Sequence, residues 1–174
     1  LRASNAANGS LIFLVGGDAG ALDLARPALQ AMSSDIVHVG LAGSGALLKL
    51  INNFLCGVQV ASLAEAIAMI EASGLDVGRS IGVLGAGAPG SPLVRMVAQR
   101  MLDRAYDPNF VVPLMAKDLQ YAIAAFAGQG IDLKTAEAAR TRFLEAGQAG
   151  FSDRDIAAVV EPLRSAATAR SSPR

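Results

Sequence analysis

The chain has one cysteine, Cys56, in 174 residues. No intrachain disulfide can form, which fits a reducing compartment and a cytoplasmic location. His38 is the single histidine, so a multi-histidine metal site cannot be assembled. Any Ser–His pair would have to use this one ring, which lies in a strand-like run and reads as structural. Neither sign of charge is in excess: Lys plus Arg and Asp plus Glu number 15 each. With no basic surplus to neutralise phosphates, a nucleic-acid partner is not expected. Charged residues make up only 17% against 52% hydrophobic, a balance that buries a core and is not that of a disordered chain. Leu1 to Gly9 is mostly small and polar, without a signal-peptide pattern. Lys49, Asn52, Asn53, Gln59 and Glu65 interrupt the most apolar stretch, 46–70. It therefore reads as a central helix packed on several sides, not a membrane span. The first residue is Leu, not Met, and the chain is read as part of a longer protein.

Leu11 to Val15 is an apolar run closed by Gly16-Gly17-Asp18, the pattern of a buried strand. Asp18 then caps a helix to about Met32, and Ile36-Val37-His38-Val39 forms a second strand. This βαβ unit is expected to complete a larger sheet, because two strands alone are marginal. After Gly45 the pattern becomes helical throughout: a long helix over 46–72 ended by Gly74, then helices near 77–86, 91–104, 112–128, 134–148 and 153–166. Pro92 and Pro113 fall where a first helical turn tolerates them. Ser152, Asp153 and Asp155 look like a cap region, and Pro162 is expected to kink or shorten the last helix. Met96, Met101 and Met115 read as packing residues, and Glu65 and Glu71 as facing solvent or a partner. The residues thus divide into a sheet remnant at 1–40 and an all-helical domain at 41–174.

The most informative segment joins the two: Gly40-Leu-Ala-Gly43-Ser-Gly45 feeding a helix that carries Lys49 and Asn53. Residues four apart share a helix face. A glycine turn lets backbone N–H groups approach an anion, and a helix N-terminus favours negative charge. An amine in a sheltered apolar niche gives up its proton more readily than one in water and can then serve as a general acid/base. A carboxamide beside it can hold a hydroxyl or carbonyl oxygen. A small hydroxy acid has both complements, a carboxylate for the turn and a hydroxyl for the amine. The plain alternative is a lysine that snorkels to solvent beside a structural Asn pair.

Gly40-x-x-Gly43-x-Gly45-x-x-x-Lys49-x-x-x-Asn53 resembles the catalytic signature of the β-hydroxyacid dehydrogenase family, and the likeness extends over roughly 9–164. That family includes 3-hydroxyisobutyrate dehydrogenase, tartronate semialdehyde reductase and glyoxylate/succinic semialdehyde reductase, with 6-phosphogluconate dehydrogenase a more distant relative. Phe110 and Lys117-Asp118 are similar to a second, shorter family motif. The resemblance implies a mainly α fold, an all-helical C-terminal dehydrogenase domain at 41–164 preceded at 1–40 by the end of a Rossmann-type nucleotide domain; the small, polar, Arg-containing residues at 165–174 read as a flexible tail. It implies Lys49 as general acid/base, Gly43, Asn53, Phe110 and Asp118 around the substrate, and Lys117 on the cofactor. The implied reaction is NAD(P)-dependent interconversion of a small hydroxy acid and its semialdehyde or keto form, in a homodimer or homotetramer built on the long helix. The family's dinucleotide fingerprint would precede Leu1, so the chain as given is expected to hold NAD or NADP poorly on its own and to be inactive alone.

Gly85-Ala-Gly87-Ala-Pro-Gly90 also matches G-x-G-x-x-G. No second strand and acid follow it, and Pro89 removes an N–H from the turn, so it reads as an interhelical loop. Cys56 reads as a buried, inert thiol. Two other readings stay open: a non-catalytic assembly module of the same fold, and an imine reductase, whose relatives usually carry another residue where Lys49 stands.

Overall fold

A computed structural model describes residues 9–171, with side chains through Ala167. The chain divides into two compact units, the first ending at Asn53 and the second beginning at Phe54.

The first unit holds β1 (Leu11–Gly16), α1 (Ala19–Gln30), β2 (Ser33–Gly40) and the opening turns of α2 (Ser44–Ala72). β1 and β2 pair in parallel, with Leu14 opposite Val37 and Val15 opposite His38. Asp18 caps α1 as its composition predicts, accepting from the Ala21 N–H at 2.8 Å. Glycine decides how α2 begins. A Cβ on Gly16 would overlap the Leu41 carbonyl oxygen, and one on Gly45 would overlap that of Leu14. Only bare backbone at both positions lets the start of α2 lie on the end of β1. These turns of the helix therefore belong with the βαβ unit, and the division falls at Asn53, whereas the residue pattern placed it at Gly40.

The second unit comprises the rest of α2, then α3 (Val77–Ala86), α4 (Pro92–Asp103), α5 (Val112–Ala127) and α6 (Lys134–Ala146). A π-helical turn (Gly147–Phe151), a 3-10 segment (Ile156–Val160) and α7 (Glu161–Ser171) complete it. Among the described residues α2 alone is long and apolar enough to cross a membrane, with a mean hydropathy of 1.5. Its Val60, Ala64 and Ile67 instead join Val97, Met101, Val112, Leu119, Phe143, Val159 and Val160 in one buried cluster. Gly57 lets α5 approach α2: a Cβ there would stand 2.9 Å from both Leu119 Cδ2 and Met115 Sδ. The Ser91 side chain caps α4 at the Val94 N–H, with Pro92 at the first helical position.

Several expectations need correcting. Pro162 neither kinks nor shortens a helix; it sits at the second position of α7, where its missing N–H costs no helical bond. The run expected to be one helix over 153–166 is a 3-10 segment followed by α7, which continues through Ser171 where a flexible tail was expected from Ser165. Ala166 and Ala167 favour that continuation; positions 172–174 lie outside the described residues. The cap in this region is Asp155, which accepts from the Ala157 N–H, whereas Ser152 donates to the Gly147 carbonyl. Met101 and Met115 are core residues, but Met96 is 37% exposed. Glu71 is not left to solvent or a partner: Arg164 Nη2 and Nε donate to it at 2.6 and 3.0 Å. Glu65 does face solvent, as expected, where it pairs with Arg142 at 2.8 Å.

Candidate active site

The turn before α2 has the conformation its glycines predict. Gly40 (φ 134°) and Gly43 (φ 91°) both lie in the region that side chains disfavour. The space where a Gly43 side chain would stand is open. Ser44 N–H donates to the Leu41 carbonyl and Leu47 N–H to that of Gly43, both at 3.0 Å, so the helix starts directly on the turn. Its positive end faces the same glycines.

Lys49 and Asn53 are both half-buried, and Lys49 Nζ donates to Asn53 Oδ1 at 2.5 Å. Asn52 Nδ2 donates to the same oxygen at 3.2 Å. The carboxamide therefore fixes the direction of the amine, with its oxygen used for that purpose and its donor nitrogen alongside. An ammonium has three protons to donate and the amide accounts for one. An open glycine turn, an aimed amine and a carboxamide thus share one helix end. His38 is structural, as expected: its Nε2 lies 2.8 Å from the Gly17 carbonyl oxygen and ties the end of β2 to the loop after β1.

The remaining candidates belong to the helical unit. Phe110 is half-buried and packs on the core cluster. On α5, Lys117 Nζ lies 3.5 Å from Asp118 Oδ1 and 5.5 Å from the centroid of the Tyr121 ring, one turn further along. Lys117 is 48% exposed, Asp118 only 16%. Cys56 packs against the core cluster. The G-x-G-x-x-G decoy does not have a fingerprint's geometry. Gly85 is buried within α3, no strand precedes it, and Gly90 folds back so closely that a Cβ would overlap the Gly85 backbone.

These residues fit part of a dinucleotide's needs. The open turn and the Lys49–Asn53 pair suit a small acid and the reacting end of a nicotinamide, and Lys117 is an accessible cation. The Gly85–Gly90 stretch ends a helix instead of joining a strand to one, so it does not supply the turn that cradles pyrophosphate, and among the described residues there is no cluster of His, Cys, Asp or Glu that could hold a metal.

Sequence reading missed a polar network in the helical unit. Tyr106 donates to Glu161 Oε1 at 2.5 Å, and Arg164 Nη1 to the same oxygen at 2.7 Å. Burial would push the Glu161 carboxyl up, but the hydrogen bonds from Tyr106 and Arg164 outweigh it and hold the carboxyl below its ordinary range. Burial and the adjacent carboxylate push the Tyr106 phenol well above its own. The available signal was Asp155 and Glu161 bracketing the apolar run Ile156–Val160: acids so placed need partners once the run is buried.

The chain matches the family described as "NAD-binding of NADP-dependent 3-hydroxyisobutyrate dehydrogenase" over residues 43–163. It is 32% identical to glyoxylate/succinic semialdehyde reductase 2 of Arabidopsis thaliana over 92% of this chain and 45% of that protein. It is 34% identical to the NAD-dependent L-serine dehydrogenase of Pseudomonas aeruginosa over 90% of this chain and 55% of that one. The solved structure of Mycobacterium tuberculosis 3-hydroxyisobutyrate dehydrogenase with L-serine superposes with a TM-score of 0.85 at 31% identity, covering 92% of this chain and 57% of that one. The chain spans about half the length of the curated relatives it matches. On the family match across most of its residues, and on a mainly helical architecture shared with that solved structure, the chain belongs to the β-hydroxyacid dehydrogenase family.

Proposed function

We propose that the chain is the catalytic portion of an NAD(P)-dependent oxidoreductase that interconverts a small β-hydroxy acid and its semialdehyde or keto form. The observation that supports this most is the 2.5 Å bond that aims the Lys49 amine from the open end of α2. Similarity to enzymes named for glyoxylate, succinic semialdehyde and L-serine supports the substrate class.

In this reading the backbone at Gly43 and the start of α2 receive the substrate carboxylate. Asn53 orients the hydroxyl through its amide, and Lys49 Nζ takes the hydroxyl proton as the carbonyl forms. In the reverse direction the protonated amine returns that proton to the carbonyl oxygen. The nicotinamide, when bound, accepts or supplies the hydride. Phe110 and Asp118 border the substrate, and Lys117 contacts the cofactor. The complete protein is read as a homodimer or homotetramer that uses the exposed apolar residues of α2, among them Leu48, Leu55 and Met69.

The test is turnover by the complete protein of glyoxylate and succinic semialdehyde with NADH or NADPH, of 3-hydroxyisobutyrate and L-serine with NAD+ or NADP+, and of a cyclic imine with NADH or NADPH. Activity on the first four that Lys49→Ala abolishes is the expected result. Turnover of the imine alone, or of none, overturns the reading.

A further inference from the structure

Asp155 has the most demanding surroundings of any acid in the helical unit. Its side chain is fully buried, and a carboxylate so placed requires donors. Oδ1 accepts from the Ala157 N–H at 3.1 Å, the cap of the 3-10 segment. Oδ2 does something a cap does not require. It accepts from Arg100 Nη1 at 3.1 Å and from the backbone N–H groups of Asn109 and Phe110 at 3.3 and 3.2 Å. Backbone bonds join the same two stretches. Asp155 N–H donates to the Tyr106 carbonyl at 3.1 Å, Ile156 N–H to that of Phe110 at 2.9 Å, and Val112 N–H to that of Arg154 at 3.0 Å. The loop over 106–112 is therefore suspended from 154–157. Its anchor is rigid: Ile156 to Val160 are all buried and pack against α4, α5, α6 and α7.

We propose that Asp155 is a positioning residue for the substrate wall, its carboxylate fixing the backbone at Asn109 and Phe110 and so the placement of the Phe110 ring ahead of α5. The inference rests on the reading of Phe110 as a substrate-bordering residue given above. Arg100, 19% exposed, balances the buried charge from α4.

Asp155→Asn tests it in the complete protein. The amide puts an N–H donor where one carboxylate oxygen now meets only donors, so either the cap or the loop loses its acceptor. Hydrogen exchange at the Asn109 and Phe110 amides is expected to accelerate by about tenfold or more, the loss of a charge-assisted bond. KM for succinic semialdehyde or 3-hydroxyisobutyrate should rise by about tenfold, while kcat and the NADPH Kd move by less than about threefold. Faster exchange with KM unchanged overturns the proposal, as does unchanged exchange. A common decline of kcat, KM and cofactor affinity with Tm marks a purely structural role and also overturns it. If Asp155→Asn does not fold, Arg100→Gln takes its place, with the same direction expected at smaller size and an unchanged KM counting against the proposal. Phe110→Ala separates the two layers. If it leaves KM unaltered, the role given to Phe110 is wrong, whereas the exchange measurement still reports whether Asp155 holds the loop.

Discussion

Arg164 reaches from α7 to Glu71 in the last turn of α2, with Nη2 2.6 Å from Oε1 and Nε 3.0 Å from the same oxygen. The same guanidinium donates to Glu161 and to the Met101 carbonyl, so one side chain joins α2, α4 and α7. Only 11% of it is exposed. Arg164→Leu removes the cation that Glu71 and Glu161 share, leaving Glu161 only the longer pair with Arg104 at 3.6 Å, and a loss of about 3 kcal/mol is expected, in the range for breaking a buried pair from one side. Urea unfolding followed by helical circular dichroism measures it; a loss near zero would show that solvent satisfies both acids.

Acid stability should depend on Glu161. Its folded-state carboxyl is held below its ordinary range, so its contribution is complete above the unfolded value and disappears as pH falls through the folded one. Glu161→Gln is therefore expected to flatten the acid limb of the stability curve without altering the alkaline limb's sign. Equilibrium unfolding from neutral to acid pH compares the two proteins.

Tyr106 has the opposite sign. Its phenol is raised by burial and by Glu161, so its contribution is complete below the ordinary tyrosine value and is lost as pH rises through the folded one. Phenolate absorbance should show one tyrosine ionising late, together with unfolding, and Tyr106→Phe should remove that phase.

Gly57→Ala opposes two effects. Alanine gains about 1 kcal/mol of helix propensity over glycine. The new methyl meets Leu119 Cδ2 and Met115 Sδ at 2.9 Å, and overpacking of this kind costs about 1–3 kcal/mol. Net destabilisation of about 1 kcal/mol is expected, and Gly57→Leu should cost considerably more. Thermal unfolding measures both; a stabilised Gly57→Ala would mean that α5 shifts freely along α2.

At the catalytic end, Lys49→Ala is expected to lower kcat by about 100-fold to 10,000-fold with the fold retained, the usual contribution of a general acid/base. Asn53→Ala, which removes the acceptor that aims the amine, should cost about tenfold or more in kcat/KM. Steady-state kinetics on the complete protein with either cofactor tests both, and a Lys49→Ala enzyme with normal turnover removes the proposed role.

What could be read without coordinates was local. The period of the apolar residues placed the helices from α1 to α6 to within a few positions, though not α7, Asp18 marked the start of α1, and Pro92 marked that of α4, because caps and periodicity are properties of neighbouring residues. The spacing of Lys49 and Asn53 already placed them on one face, and the bond between them followed from helix geometry. Pro162 misled because a proline reads the same whether it ends one helix or begins the next; α7 begins at Glu161, so Pro162 falls in its first turn.

By itself, then, the order of residues determined the elements, the amine–amide pair and the family. Tertiary structure decided which acids are buried and what they hold. Asp155 and Phe110, and Glu71 and Arg164, are far apart along the chain, and nothing local distinguishes a solvated carboxylate from one that must find its donors across a core. Desolvation creates that requirement, and only the packing of α4, α5, α6 and α7 around Ile156–Val160 imposes it.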